Sequence, residues 1–312
     1  MITRDADAFL ALARTFAPDF GPATAQAAFL VAPEGFALAE QSATDNRYMA
    51  DAEAFDAARA HAQHRGLQRA LSEVLPTVCF PGRADTPDAL FPNNVFATGN
   101  GCYLVGRMRH PVRQREAART DIRGFLGDVL GLREVDLSGQ PHPCELTGAL
   151  VIDRARGIGF CGLSERCDAE GARLMHEALG LRATLLFDLA AGEYHANVVL
   201  AILAGRAALV CPAGFDDPDV VAAISTLYAP HDLLLSAAEQ AAFAGNAIAV
   251  SGDVAWMSAG AAAALSAENR QALAAAGFAL RSVPLDAIEA AGGSLRCCVA
   301  EVFHVPAADS RA

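Results

Sequence analysis

Cys297, His195 and Glu145 bring a soft nucleophile, a proton carrier and a carboxylate to one chain, and each opens an apolar run: "RCCVAEVF", "YHANVVLAIL" and "CELTGALVI". Two further runs, "FPNNVF" and "FAGNAIAV", open in the same way on Asn94 and Asn246. Successive members of the series 94, 145, 195, 246 and 297 lie 50 or 51 residues apart. A thiolate attacks an electrophilic carbon, an imidazole moves protons for the leaving group and for water, and a carboxylate fixes the imidazole's tautomer. Those three residue types are the material of covalent catalysis, provided the chain brings them together.

The remainder of each interval supplies the elements that do so. Behind the first four motifs come second apolar segments, "GCYLVGR", "GIGFCGLS", "RAALVCPAGF" and, more weakly, "DVAWMSA". Apolar residues at three-to-four spacing then predict helices in "VRQREAARTDIRGFLGDVLG", "DAEGARLMHEALG", "DPDVVAAISTLYA" and "AAALSAENRQALAAAG". Short strands follow at "REVDL", "ATLLF", "DLLLS" and "RSVPL". An earlier unit begins at "AAFLVAP" and includes a long helical region from about Arg47 to Leu75. The unit is strand, strand, helix, strand, taken about five times. Such a unit cannot cover its own faces, so units stack around an axis and equivalent positions converge there.

These residues resemble the guanidino-group modifying enzymes, the pentein superfamily of arginine deiminases, dimethylarginine dimethylaminohydrolases and amidinotransferases, and most of all its citrulline utilization hydrolase branch. The resemblance is carried by "DALFPNNVFATG", "CELTGALVIDR", "GLSERCD", "YHANV", "FAGN" and "GGSLRCCVAEVF", which follow the family's order across nearly the whole chain. It implies an α/β fold, a five-bladed pseudo-fivefold α/β propeller of ββαβ units, with residues 1–312 as a single pentein catalytic domain. It also implies Cys297 as nucleophile, His195 as proton carrier and Glu145 as its partner. Asn94, Asn197 and Asn246 fall at substrate-binding positions. Arg166 in "LSERCD" and, less directly, Arg113 in "HPVRQREAA" match arginines that hold a substrate carboxylate, a fit that suits the guanidinium fork. Cys298 is expected to point away from Cys297, because successive strand side chains face opposite ways, and to pack as a small apolar residue. Gly292 and Gly293 would allow a tight turn.

Arginine deiminases grip a guanidinium cation with two aspartates, and here those positions are Asn94 and Asn197. A carboxamide offers one acceptor and two donors, which suits a neutral ureido group better than a buried cation. The expectation is therefore a cysteine-dependent C–N hydrolase acting on citrulline or a similar ureido amino acid through a thioester, with neither cofactor nor metal. The alternatives are a guanidino-compound hydrolase, deiminase or amidinotransferase of the same chemistry, or a non-catalytic binding protein of the same fold, such as the translation initiation factor six family. Leu146 departs from the Gly usual after the motif's Glu, Ala149 stands where deiminases often have Asp, and Ala39 stands where the branch has Asn.

Bulk properties narrow the partners. A net charge of −12 argues against nucleic acid and anionic membrane surfaces. A hydrophobic fraction of 53% allows a large core. No run is long and apolar enough to span a bilayer, and the charged N-terminal stretch does not read as a signal peptide, so the expectation is a cytoplasmic protein. Its eight cysteines are then mostly free thiols, without CxxC spacing for zinc. A small-molecule substrate is the expected partner, and self-association is left open. His61 and His64 in "HAQH" read as an ordinary surface pair.

Overall fold

The structure, a computed structural model, describes residues 1–303. In chain order its strands are β1 (Ile2–Thr3), β2 (Ala27–Val31), β3 (Thr77–Phe80), β4 (Phe96–Gly99), β5 (Cys102–Val105) and β6 (Arg133–Asp136). There follow β7 (Leu150–Asp153), β8 (Ile158–Leu163), β9 (Ala183–Asp188), β10 (Leu200–Leu203) and β11 (Ala207–Val210). The last are β12 (Asp232–Leu234), β13 (Val254–Ser258), β14 (Ala279–Val283) and β15 (Ala300–Val302).

Among the described residues these strands form five sheets, ordered β15-β2-β3, β4-β5-β6, β1-β9-β8-β7, β10-β11-β12 and β13-β14. Four share one construction. An antiparallel pair comes first, as in β4/β5, β7/β8, β10/β11 and β15/β2. A parallel strand then returns on the far side, as in β6, β9, β12 and β3. A parallel return needs a crossover, which the intervening helical segments provide. In the fifth sheet β13 and β14 pair in parallel, and the antiparallel partner is reduced to a single bridge from Ile248 to Trp256. This is the interval whose second apolar segment is weakest in the sequence.

The helices follow local chemistry. Asp168 caps Ala169–Leu179 by accepting from the Gly171 amide, and Gly180 closes it at φ 62°. Asp217 caps Pro218–Tyr228, with proline in the first turn. Three predicted helices differ from expectation. The one predicted over Arg47–Leu75 begins only at Ala57, capped by Asp56, and ends at Ser72. The stretch after His110 breaks into the short turns Pro111–Gln114, Glu116–Ala118 and Thr120–Gly124, then a π-helical turn, Phe125–Val129. Arg119 at the break is extended, and its buried guanidinium reaches Asp121 and the Pro81 carbonyl. The stretch after Ser258 splits into Ala259–Ala264 and Ala267–Ala275, because Ser266 caps a new start.

His64 is not on the surface. It is 1% exposed, on the helix face that also buries Ala60, Leu67 and Leu71. Its Nε2 has no hydrogen-bond partner, and burial lowers its pKa to about 4. No described helix is long and apolar enough to cross a membrane.

Candidate active site

The five spaced residues stand just ahead of strands rather than on them. Asn94 ends the 3-10 turn Pro92–Asn94 before β4, and Glu145 and His195 each precede a single helical turn that runs into β7 and β10. Asn246 lies two residues before the Ile248 bridge. Cys297 lies within the 3-10 turn Leu295–Cys298 before β15. The alternating-strand argument for separating Cys297 from Cys298 therefore does not apply. The separation comes from partners. Cys297 Sγ takes a hydrogen bond from Asn246 Nδ2 at 3.2 Å and lies 3.8 Å from Asn197 Oδ1. Cys298 is wholly buried with Ile288, Leu295 and Val299 in an apolar cluster that also includes Cys297, so what sets Cys297 apart is its contact with the two asparagines.

Glu145 and His195 are both fully buried and face each other, His195 Nε2 standing 2.8 Å from Glu145 Oε2. Glu145 Oε1 accepts from the Arg109 amide at 3.0 Å, and Arg166 Nη1 lies 3.6 Å from Oε2. Burial opposes the charge on Glu145, yet Arg166 and the His195 hydrogen bond outweigh it and hold its carboxyl well below the usual carboxylate range. Burial also pushes His195 below its ordinary value, against the pull of Glu145. With a carboxylate opposite, His195 Nε2 bears the hydrogen and donates to Glu145. Its Nδ1 is buried without a partner. Burial likewise raises the Cys297 thiol, against the hydrogen bond from Asn246.

Gly148 marks where these groups meet. A Cβ there would lie 2.6 Å from Asn94 Oδ1 and 2.9 Å from His195 Nδ1. Asn94 Oδ1 is buried and unpartnered. Beside it lies a narrow pocket, lined by Asn94, Cys297, Arg113 and Arg166 together with Asp88, Phe91 and Tyr194. Ser42, Asn46 and Met49 line it as well. Glu145, His195, Asn197 and Asn246 are not among its lining residues, and Asn197 lines a separate cleft with Thr147 and Arg154. Asn197 Nδ2 donates to the Thr147 carbonyl, and Asn246 Nδ2 also donates to the Asn197 carbonyl. Asn246 accepts weakly from the Cys297 amide at 3.4 Å as well, so it holds both ends of the cysteine.

Neither arginine is a solvent-facing charge. Arg113 is 2% exposed and already paired through Nε and Nη2 with both Glu116 oxygens, and Nη2 also reaches the Asp88 and Phe91 carbonyls. Arg166 is 2% exposed, packs over the Tyr194 ring, and reaches Asp45 and the Ser42 carbonyl. Several pocket residues have no role in the sequence reading. Asp88 is buried with Oδ1 unpartnered, and burial raises its pKa. It belongs to the quoted "DALFPNN", so its position was visible although its burial was not. Tyr194, next to His195, donates to the Gly292 carbonyl, and Asn46 Nδ2 donates there too. Gly292 itself sits at φ 76°, where an added Cβ would lie 2.3 Å from Asn46 Nδ2. Leu146 is held at φ 23°, a left-handed conformation costing a non-glycine residue roughly 1–2 kcal/mol. That explains physically why glycine would suit the position after Glu145.

Among the described residues no cluster of three or more His, Cys, Asp or Glu side chains is placed to hold a metal ion. Residues 32–304 match the family described as N,N dimethylarginine dimethylhydrolase, eukaryotic. No curated protein matches in sequence. In structure the chain is similar to the N-terminal domain of ArgZ, an arginine dihydrolase from the ornithine–ammonia cycle in cyanobacteria, solved as a cysteine-to-serine mutant bound to substrate. That likeness has a TM-score of 0.78 at 21% identity and covers 89% of this chain and 98% of the other. It is similar to unliganded AgrE, with a TM-score of 0.77 at 22% identity, over 91% of this chain and 40% of AgrE. It is also similar to a dimethylarginine dimethylaminohydrolase, a histidine-to-glycine variant carrying an S-methyl-L-thiocitrulline adduct. There the TM-score is 0.68 at 19% identity, over 89% and 99% of the two chains.

Proposed function

Because the chain belongs to the family described as N,N dimethylarginine dimethylhydrolase, eukaryotic, we propose that it is a cysteine-dependent C–N hydrolase acting on the ureido group of citrulline or a similar amino acid. The observation that carries this reading is the buried Glu145–His195 pair, whose unpartnered Nδ1 lies with the unpartnered Asn94 Oδ1 beside Gly148, Asn94 in turn sharing a pocket lining with Cys297. We read the five sheets as blades of a pseudo-fivefold propeller, and residues 1–312 as one catalytic domain. The eight unbridged thiols support a cytoplasmic setting.

In this mechanism the resting site holds a neutral thiol and a neutral imidazole. As Cys297 Sγ attacks the ureido carbon, its proton passes to His195 Nδ1, and Glu145 stabilises the imidazolium. His195 returns that proton to the leaving nitrogen, and a carbamoyl thioester remains. Water, deprotonated by His195, then releases the thiol. Citrulline and one water give ornithine, carbon dioxide and ammonia. Asn246 positions the sulfur, and Asn94 meets the ureido group as a neutral acceptor and donor.

A second reading is favoured by Asp88, a buried pocket carboxylate with a free oxygen, and by the ArgZ description. In it the same residues first hydrolyse arginine to citrulline and then carry citrulline to ornithine. Product analysis with each compound supplied separately tests both. Ornithine from citrulline alone supports the first reading. Ornithine from arginine by way of citrulline supports the second. Citrulline as the end product of arginine refutes the argument from the asparagines. Absence of ammonia from either compound refutes the hydrolase.

A further inference from the structure

Arg166 is matched to a substrate carboxylate, yet its guanidinium edge is already filled by a carboxylate of this chain. Asp45 Oδ1 accepts from Arg166 Nη2 at 2.5 Å, and Asp45 Oδ2 accepts from Nε at 3.3 Å. This is the two-point grip by which a guanidinium takes any carboxylate. Arg166 Nη2 also donates to the Ser42 carbonyl at 2.9 Å, and Nη1 faces Glu145. Little of the fork is left for a ligand. Asp45 Oδ2 also stands 3.1 Å from His110 Nε2.

The place of Asp45 in the chain matters as much as its contacts. It sits between Ser42 and Asn46, both of which line the pocket, and follows the single helical turn Glu40–Ala43. Arg166, by contrast, lies 121 residues away in sequence, between β8 and the helix Ala169–Leu179. The pair therefore ties this pocket-lining segment to the body of the site. The Asp45 side chain is 17% exposed and that of Arg166 3%, so the aspartate has solvent to withdraw into and the arginine does not.

We propose that Asp45 is an internal stand-in for the substrate's carboxylate, one that occupies Arg166 in the unliganded protein and gives it up to an incoming carboxylate. The inference rests on the reading of the site as one for ureido or guanidino amino acids. Two carboxylates cannot share one fork, with Glu145 a third anion nearby, so each binding event exchanges one ion pair for another. Asp45 thereby sets the apparent affinity for carboxylate-bearing substrates. A substrate whose tail lacks a carboxylate leaves the internal pair intact.

The test is Asp45→Asn in a Cys297→Ser background, titrated calorimetrically with citrulline and, separately, with N-carbamoylputrescine, which keeps the ureido group and lacks the carboxylate. The expected result is citrulline binding tighter by roughly tenfold, with N-carbamoylputrescine changed by less than about twofold. In the enzyme with Cys297 intact, Asp45→Asn then lowers KM for citrulline. Citrulline binding that weakens or stays the same overturns the inference, as does an equal change for both compounds. Asp45→Ala answers the same question if the asparagine variant does not fold. The hydrolase reading fails differently, by absence of ammonia from the Cys297 enzyme while the calorimetric shift persists. A protein that binds neither compound in either background overturns the inference outright.

Discussion

Glu145→Gln separates the charge of the site from its shape. The substitution is isosteric, and the structure dictates how the amide will sit. Oε1 accepts from the backbone amide of Arg109, a donor that cannot be turned around, so the glutamine's carbonyl oxygen stays there. The amide nitrogen then faces His195 Nε2 and Arg166 Nη1, where Oε2 stood 2.8 and 3.6 Å away. Two donors cannot share one proton line, so His195 gives up the proton at Nε2 and carries it at Nδ1, the nitrogen that served as base. The imidazolium formed during attack also loses its counter-ion. At an effective dielectric near 20, that attraction is worth about 4–6 kcal/mol at this separation. The expected fall in kcat is roughly 10³- to 10⁴-fold. Ammonia release measures the rate, and ¹⁵N resonances of labelled histidine show which ring nitrogen bears the proton. A variant within tenfold of the parent, or a His195 still protonated at Nε2, refutes the reasoning about both tautomer and charge.

Cys297→Ser should abolish turnover, whereas Cys298→Ser should keep most of it and lower the melting temperature, since a hydroxyl is placed in an apolar cluster; reversed activities would reassign the nucleophile. Gly148→Ala puts a methyl group within 2.6 Å of Asn94 Oδ1 and 2.9 Å of His195 Nδ1, so one of these buried side chains must shift; kcat/KM should drop by at least about tenfold and the melting temperature should fall, and an unaffected rate would show that the two groups do not work in that space. His64 refuses a proton in the folded state down to about pH 4, whereas the unfolded chain accepts one near pH 6.5. Stability should therefore decline as pH falls through that window, by up to about 3 kcal/mol, and denaturant titrations of His64→Leu should show that slope flattened.

The spacing near 50 residues located the site because each chemical residue stands just ahead of the strand or bridge that opens a sheet. The pattern says nothing of pairings made across the fold. Glu116 lies three residues from Arg113, within reach of sequence reasoning, but its choice of partner depends on the break in the helix that a periodicity reading ran straight through. Asp45 lies 121 residues from Arg166, and no local signal connects them. His64 differs in kind. Its spacing from Ala60, Leu67 and Leu71 puts it on the apolar stripe, so its burial is readable from the sequence, whereas His61 lies off that stripe. Leu146 shows the reverse case, a noticed departure from glycine whose physical meaning, a positive φ, needed backbone angles.

The pairing of β15 with β2, Ala300 opposite Phe29, also bears on the life of the chain before it is an enzyme. A ribosome delivers β2 early and β15 only after some 270 further residues. Until then β2 offers an open edge, of the kind that invites pairing between nascent chains. Docking of β15 completes the anchoring of the turn that carries Cys297, which Asn246 holds from the other side. Glu145 and His195 are thus made and available to fold well before the thiol joins them, and a chain cut short before Ala300 combines an unfinished sheet with an incompletely anchored nucleophile. Maturation of the site and protection against aggregation are completed by the same late event, one whose long sequence separation makes it slow.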